Sequence, residues 1–263
     1  MANTLPTFLS THPDTVLVEI IGAKGSTPRE AGAFMLVAEE ACFGTIGGGQ
    51  LEFMAIDHAQ ALLRGEDKPL ELDIPLGPEI GQCCGGRVAL SFERVDMLVA
   101  ARLVAKDLAE REEDPDVFLF GAGHVGLALA QALAPLPVRV TIVETRPIAE
   151  TLPAGVNLRH IAMPEAEVAS IGAGGAAIIL THDHALDFLI ANEALAREDL
   201  AYVGMIGSTT KRATFASWLA REGVPEARLE QLILPIGGKT VRDKRPAVIA
   251  AMVAAELMAA LAR

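Results

Sequence analysis

One stretch decides what the second half of this chain can fold into: VFLFGAGHVGLALA, residues 117–130. Four apolar residues of strand character are followed by Gly121, Gly123 and Gly126 at G-x-G-x-x-G spacing, and then by a run of helix formers. The pattern carries weight only when it follows a strand and opens a helix, and here it does both. Gly121 permits a tight turn, Gly123 lets a diphosphate approach the backbone, and Gly126 lets helix and strand pack closely. The N–H groups at the start of such a helix favour an anion. Glu144 ends the next strand, 23 residues beyond Gly121, near the place of a ribose-binding acid. Arg146 leaves a preference for a phosphorylated ribose open. The alternative is the same fold without a nucleotide.

The segments after this turn extend the pattern. VRVTIVE (138–144), NLRHI (157–161), AAIIL (176–180) and AYVGMIG (201–207) read as strands, with helices over about 185–197 and 210–222. Near-continuous apolar strands separated by helices predict a doubly wound, Rossmann-like parallel sheet covered on both faces. The first half reads differently. Strands at 15–22, AGAFMLVAE, CFGTIG, LELDIP and RVALSFERV accompany helices over 51–63 and 96–113, which makes a small mixed α/β domain. The expected apolar positions are Phe53, Met54, Ile56 and Leu63 on the first of these helices. On the second they are Leu98, Ala101, Ala105 and Leu108. The charged, proline-ended EREEDP breaks the chain, giving domains at 1–113 and 114–263.

Composition narrows the function classes. Half the chain is hydrophobic (51%), enough for substantial cores, and the formal net charge of −12 with no long Lys/Arg run argues against nucleic acid as a partner. The most apolar stretch, AVIAAMVAAELMAALA, is 16 residues long and contains Glu256, too short and interrupted for a membrane span. It reads as a cover helix for the parallel sheet, with a homodimer face as the alternative. The N-terminus lacks a signal-peptide pattern, and only three cysteines are present, so the expected compartment is the reducing cytoplasm.

Two of those cysteines, Cys83 and Cys84, stand side by side in LGPEIGQCCGGRV (76–88). A structural zinc site needs spaced ligand pairs, absent here. An adjacent-cysteine disulfide would be strained and labile. A thiolate between glycines is suited to soft-metal ligation or sulfur chemistry. Burial of both as small hydrophobes is the bland alternative. Two further Gly-rich loops accompany them. GTIGGGQLE presents Gly47, Gly48, Gly49 and Gln50 as a nest of N–H donors at a helix start. GAKGSTPRE supplies Arg29, suited to a bidentate grip on an oxyanion or to a salt bridge with Glu30.

Three loops of the second half also carry polar groups. THDHALD (181–187) offers His182, Asp183 and His184 as metal or phosphate ligands, or Asp183 and Thr181 as helix caps. IGSTTKR (206–212) offers capping hydroxyls with Lys211 and Arg212 as anion partners. GGKTVRDKRP (237–246) is basic but lacks the spacing of an NTPase phosphate loop.

Together GSTPREAGAFMLV, GTIGGGQLE, LGPEIGQCCGGRV, FGAGHVGLALA, THDHALDF, GMIGSTTKRATF and GKTVRDKRPAVIAAMVAAEL resemble the XdhC/CoxI family, in its order, over roughly residues 20–260. The resemblance implies a non-catalytic maturation factor for xanthine dehydrogenase. Such a factor binds and shelters molybdenum cofactor (molybdopterin) and supports its sulfuration by a cysteine desulfurase. It works with cofactor-synthesis proteins and delivers the cofactor to the molybdenum subunit of the apoenzyme. By motif, Cys83 and Cys84 become the thiols expected to contact cofactor and metal. Gln50 holds the place where other branches of the family have cysteine. The competing function is an NAD(P)-dependent oxidoreductase with Cys83 and Cys84 as a dithiol; a third is a scaffold bridging desulfurase and target.

Overall fold

Alternation in the first strand organises the N-terminal half. The computed structural model describes residues 4–77, 85–238 and 241–262. In β1 (Val16–Lys24), Val16, Val18 and Ile20 point to one face of a sheet and Leu17 to the other. β2 (Phe34–Val37), β3 (Cys42–Gly44), β4 (Glu71–Pro75) and β5 (Arg87–Arg94) complete an antiparallel sheet ordered β3-β2-β1-β5-β4. Both faces are covered, as the buried run Val16, Leu17, Val18 and Ile20 requires. α2 (Gly49–Leu63) buries Leu51, Ala55 and Ala59 against Val16, Val18, Ile20 and Leu90. α1 (Leu5–Thr11) and α3 (Met97–Glu113) cover the opposite face through Leu5, Phe8, Val99 and Leu103.

The predicted face of α3 is corrected here, and that of α2 at Phe53. Phe53 is 65% exposed, while Met54, Ile56 and Leu63 pack partly buried against the core and the fully buried positions of α2 are Leu51, Ala55, Ala59 and Ala61. Leu98 and Leu108 are also exposed, and α3 buries Val99 and Leu103 instead. Small residues let α2 lie close to the sheet, so the deepest positions fall on alanines that side-chain size does not mark.

In the C-terminal half, strands β6 (Asp116–Phe120), β7 (Arg139–Glu144), β8 (Asn157–His160), β9 (Ala176–Ile179), β10 (Tyr202–Met205) and β11 (Leu232–Ile233) form a six-stranded sheet. Its order is β11-β10-β9-β6-β7-β8, and every pairing is parallel. This is the doubly wound Rossmann order, with the reversal between β6 and β9. On one face α4 (His124–Leu133) and α8 (Pro246–Leu261) pack on Val117, Leu119, Ile142 and Ile178. On the other, α5 (His184–Leu195), α6 (Thr209–Arg221) and a 3-10 segment at Pro164–Ser170 pack on Phe118, Phe120 and Ile179. A short α7 (Ala227–Glu230) leads into β11.

α8 is a cover helix, burying Ala250, Val253 and Leu257. Glu256, the acid that interrupts its apolar run, accepts hydrogen bonds from the Tyr202 hydroxyl and the Gly237 N–H, both at 2.9 Å. Burial, with Glu256 adding to it, pushes the Tyr202 phenol well above its ordinary range. No helix among the described residues is long and apolar enough to cross a membrane. The chain divides into two units, Met1–Ala109 and Glu110–Arg263.

Candidate functional site

The Gly-rich loops of the N-terminal unit converge. β1 carries a one-residue bulge between Ile20 and Gly22 opposite β5, which bends its end. Beyond it, a Cβ added to Gly86 would lie 2.2 Å from the Ser26 carbonyl oxygen. One added to Gly47 would lie 2.5 Å from Pro28 Cγ. The GSTPRE turn is therefore wedged between the triple-glycine loop and the exit of the cysteine loop. Leu76 closes the base of that loop, donating to the Gly86 carbonyl (2.8 Å) and accepting from the Gly85 N–H (2.9 Å). Arg29 is exposed on the wedge. Cys83 and Cys84 lie outside the described residues. Cys42, on β3, is exposed, and its thiol is pushed up by burial and by the nearby Glu52 charge.

The triple-glycine nest differs from its expected use. Glu52, inside the same motif, turns its carboxylate into the loop. Oε1 accepts the N–H groups of Ile46 (2.9 Å) and Gly48 (3.0 Å) and the Thr45 hydroxyl. The Gly47 N–H donates to Thr45 Oγ1 at 3.1 Å. Burial opposes ionisation of Glu52, and these donors outweigh it, so the carboxyl lies below the ordinary glutamate value. Of the donors expected for a ligand, Gly48 is committed to Glu52 and Gly47 to Thr45. Gly49 and Gln50 open α2 behind it.

In the C-terminal unit the glycine turn has the predicted geometry. Gly121 has φ +122°, and a Cβ there would meet the Leu180 carbonyl oxygen at 2.6 Å, across the β6–β9 reversal. At Gly126 a Cβ would sit 2.1 Å from the Gly121 carbonyl oxygen. Gly123 faces open space and caps α4 with no side chain. Glu144 is 6% exposed, and its carboxylate holds the turn. Oε2 accepts the Ala122 N–H at 2.9 Å, and Oε1 accepts the N–H groups of Thr145 (2.9 Å) and Arg146 (3.2 Å). Burial raises its pKa, and these N–H groups with the Arg146 side chain outweigh it and hold the carboxyl below its ordinary value. Arg146 Nε stands 3.5 Å from the same oxygen.

The structure joins two motifs that sequence treated separately. THDHALD and IGSTTKR border one open pocket of about 380 Å3 at the C-terminal ends of β9 and β10. Asp183 caps α5, accepting from the Ala185 N–H at 2.8 Å. Ser208 caps α6. Beneath the pocket, Asp187 is fully buried and ion-pairs with Lys211, which also donates to the Ile206 carbonyl at 2.9 Å. The Thr181 hydroxyl (2.7 Å) and N–H (3.1 Å) complete the Asp187 shell. Arg212, expected to meet an anion, instead donates to the carbonyls of Leu229 and Leu232, both at 2.9 Å. Among the described residues, no group of three or more His, Cys, Asp or Glu side chains is placed to hold a metal ion, so His182 and His184 gain no ligand partners. Sequence reading missed Glu52 and Asp187. Each stood in a quoted motif, and the signal was an acid three or more positions past the start of a Gly- or Ser/Thr-rich turn.

Comparison with known proteins agrees with this layout. A family model described as the XdhC Rossmann domain matches residues 117–257, and one described as the XdhC and CoxI family matches residues 9–73. An uncharacterised protein, YqeB, of Escherichia coli K12 is 26% identical over 255 residues. That match covers 92% of this chain and 42% of YqeB, so the chain spans under half of that relative's length. The crystal structure of a protein described as a xanthine dehydrogenase from Bacillus halodurans has a similar fold. Its TM-score is 0.77 at 19% identity, covering 97% of this chain and 94% of that one. With the Rossmann-domain match covering more than half of its length, the chain belongs to the XdhC family.

Proposed function

We infer that this protein is an accessory factor for xanthine dehydrogenase. In this reading it holds molybdenum cofactor, supports its sulfuration and hands it to the molybdenum subunit of the apoenzyme. The observation that carries the reading is the convergence of the GSTPRE turn, the triple-glycine loop and the base of the cysteine loop on one end of the N-terminal sheet. An exposed guanidinium, the N-terminus of α2 and adjacent thiols suit an oxidised molybdenum centre: hard oxygens meet N–H groups, and the soft thiolate meets the metal. Cys83 and Cys84 are the proposed contacts, and Gln50 and Arg29 the proposed polar neighbours. Release to an apoenzyme asks for moderate affinity, which open loops favour over an enclosed cage.

The test is co-expression with the cofactor-synthesis proteins, followed by pterin fluorescence and molybdenum analysis of the purified protein. Stoichiometric cofactor, reduced in Cys83→Ala/Cys84→Ala, supports the reading. A cofactor-free protein from the same cells contradicts it. A second reading, an NAD(P)-dependent oxidoreductase with a Cys83–Cys84 dithiol, is favoured by the geometry of Gly121, Gly123 and Gly126. Steady-state NADH oxidation with any electron acceptor would favour it over the carrier.

A further inference from the structure

We propose that the outer face of α3 is a homodimer interface, on which two copies of the chain pair their α3 helices antiparallel. A helix lying on a sheet ordinarily turns a polar face to water. α3 does not. Val99 and Leu103 hold it to the sheet, and the opposite side carries Leu98, Ala101, Ala105 and Leu108, all exposed. Met97 and Leu98 are 88% and 80% exposed, so no described residue overhangs that end of the stripe. The two cations beside the stripe are drawn away from it. Arg102 pairs with Glu93 at 2.6 Å, and Lys106 donates to the Gly32 carbonyl at 3.4 Å and lies 6.0 Å from the centre of the Phe34 ring. The face is left apolar over about 15 Å of helix. A contiguous apolar patch of this kind marks a contact site rather than solvated surface.

The order of the stripe identifies its occupant as a second copy of this chain. Leu98, Ala101, Ala105 and Leu108 stand three, four and three residues apart, the a/d spacing of a coiled-coil seam. The stripe reads the same from both ends: leucine, alanine, alanine, leucine. Turned end over end about an axis through its middle, it meets its own copy with Leu98 against Leu108 and Ala101 against Ala105, each contact made twice. That is the self-complementarity a two-fold interface requires. The central alanine layers let the helix axes approach closely, and the leucine layers close both ends. Charge fixes the direction. Glu112 continues the stripe one turn beyond Leu108. A parallel pair would lay Glu112 on its own copy and align the helix dipoles. An antiparallel pair separates the two carboxylates and brings each toward the N-terminal end of the other helix, where negative charge is favourable. α8, the dimer face suggested by the sequence, is taken up instead in covering the parallel sheet. One helix pair is smaller than a standard interface of about 800 Å2 per partner, so the dimer is weak, with a dissociation constant in the micromolar range. The inference is independent of the carrier reading.

The experiment is sedimentation equilibrium of the full-length protein over about 1 to 200 μM, a range that brackets a micromolar constant. The parent is compared with Leu98→Glu and with Leu98→Glu/Leu108→Lys. A monomer–dimer equilibrium is expected in the parent. Leu98→Glu sets a carboxylate against leucine in both outer layers and weakens the dimer by about tenfold or more. The double substitution matches a carboxylate with an ammonium in each outer layer of an antiparallel pair, and like with like in a parallel one. It therefore restores most of the lost association. Both positions are exposed, so the melting temperatures of the variants stay within about 3 °C of the parent. A parent that is monomeric throughout the range, which would leave the face to a different protein, overturns the proposal. So does a dimer that Leu98→Glu leaves unchanged, or a lost dimer that the double substitution fails to restore.

Discussion

Lys211 donates to Asp187 in the interior of the C-terminal unit, with Asp187 fully buried and Lys211 9% exposed. This pair joins the first turn of α6 to the first turn of α5. Through Ile206 and Thr181 it also ties down the ends of β10 and β9. Removing one partner strands the other charge. Lys211→Met is expected to destabilise the C-terminal unit by about 3–5 kcal/mol, and Asp187→Leu added to it to recover most of that loss. The single tryptophan, Trp218, packs against Phe188 and Phe215 in the same layer, so its fluorescence during urea unfolding reads this unit. A single-variant loss below about 0.5 kcal/mol, the scale of an ordinary surface substitution, would contradict the assignment.

Glu52 gives a pH signature in the N-terminal unit. Its carboxyl is depressed in the folded state, so the stabilisation it contributes is complete above the unfolded-state glutamate value and is lost as pH falls through the folded value. In Glu52→Gln that dependence disappears. The amide hydrogens of Ile46 and Gly48 are also expected to exchange about tenfold faster near neutral pH, the effect of losing one charge-assisted hydrogen bond. Hydrogen exchange resolved to residues 45–52 checks this. Equal exchange in both proteins would mean that the loop does not depend on the carboxylate.

The doubly wound sheet was legible because its inner strands are apolar on both faces and the glycine turn fixes where β6 meets α4. The strands of the N-terminal sheet were legible as apolar runs, but their antiparallel pairing and order were not. What sequence did not show is which group closes each loop. Glu52 and Asp187 act through contacts that exist only once a turn folds back on the helix after it. Strand β11 is two residues long, too short for a periodicity. The face of α3, and Phe53 on α2, were misassigned for a related reason. Burial there falls on Ala55, Ala59 and Val99, while Phe53 and Leu98 stay outside. The cysteine pair lies outside the described residues, and its role stands on motif and chemistry.

The three glycines of the turn make separable predictions. Gly126→Ala drives a methyl group against the Gly121 carbonyl and is expected to cost about 2–3 kcal/mol or more. Gly123 has φ −70° and open space beyond it, so Gly123→Ala is expected to fold within about 0.5 kcal/mol of the parent. If the turn receives a diphosphate, Gly123→Ala loses dinucleotide affinity while keeping its stability. Urea unfolding and NADH fluorescence measured on the same samples separate the two effects. Equal stability losses at both positions would contradict the packing described for Gly126.

The carrier reading is tested most directly by activating apo-xanthine dehydrogenase. Protein isolated with cofactor is mixed with the apoenzyme, and the rate of appearance of xanthine oxidation is compared with that from an equal amount of free cofactor. The account predicts faster and more complete activation by the loaded protein, and loss of that advantage in Cys83→Ala/Cys84→Ala. Activation no better than that from free cofactor would contradict it.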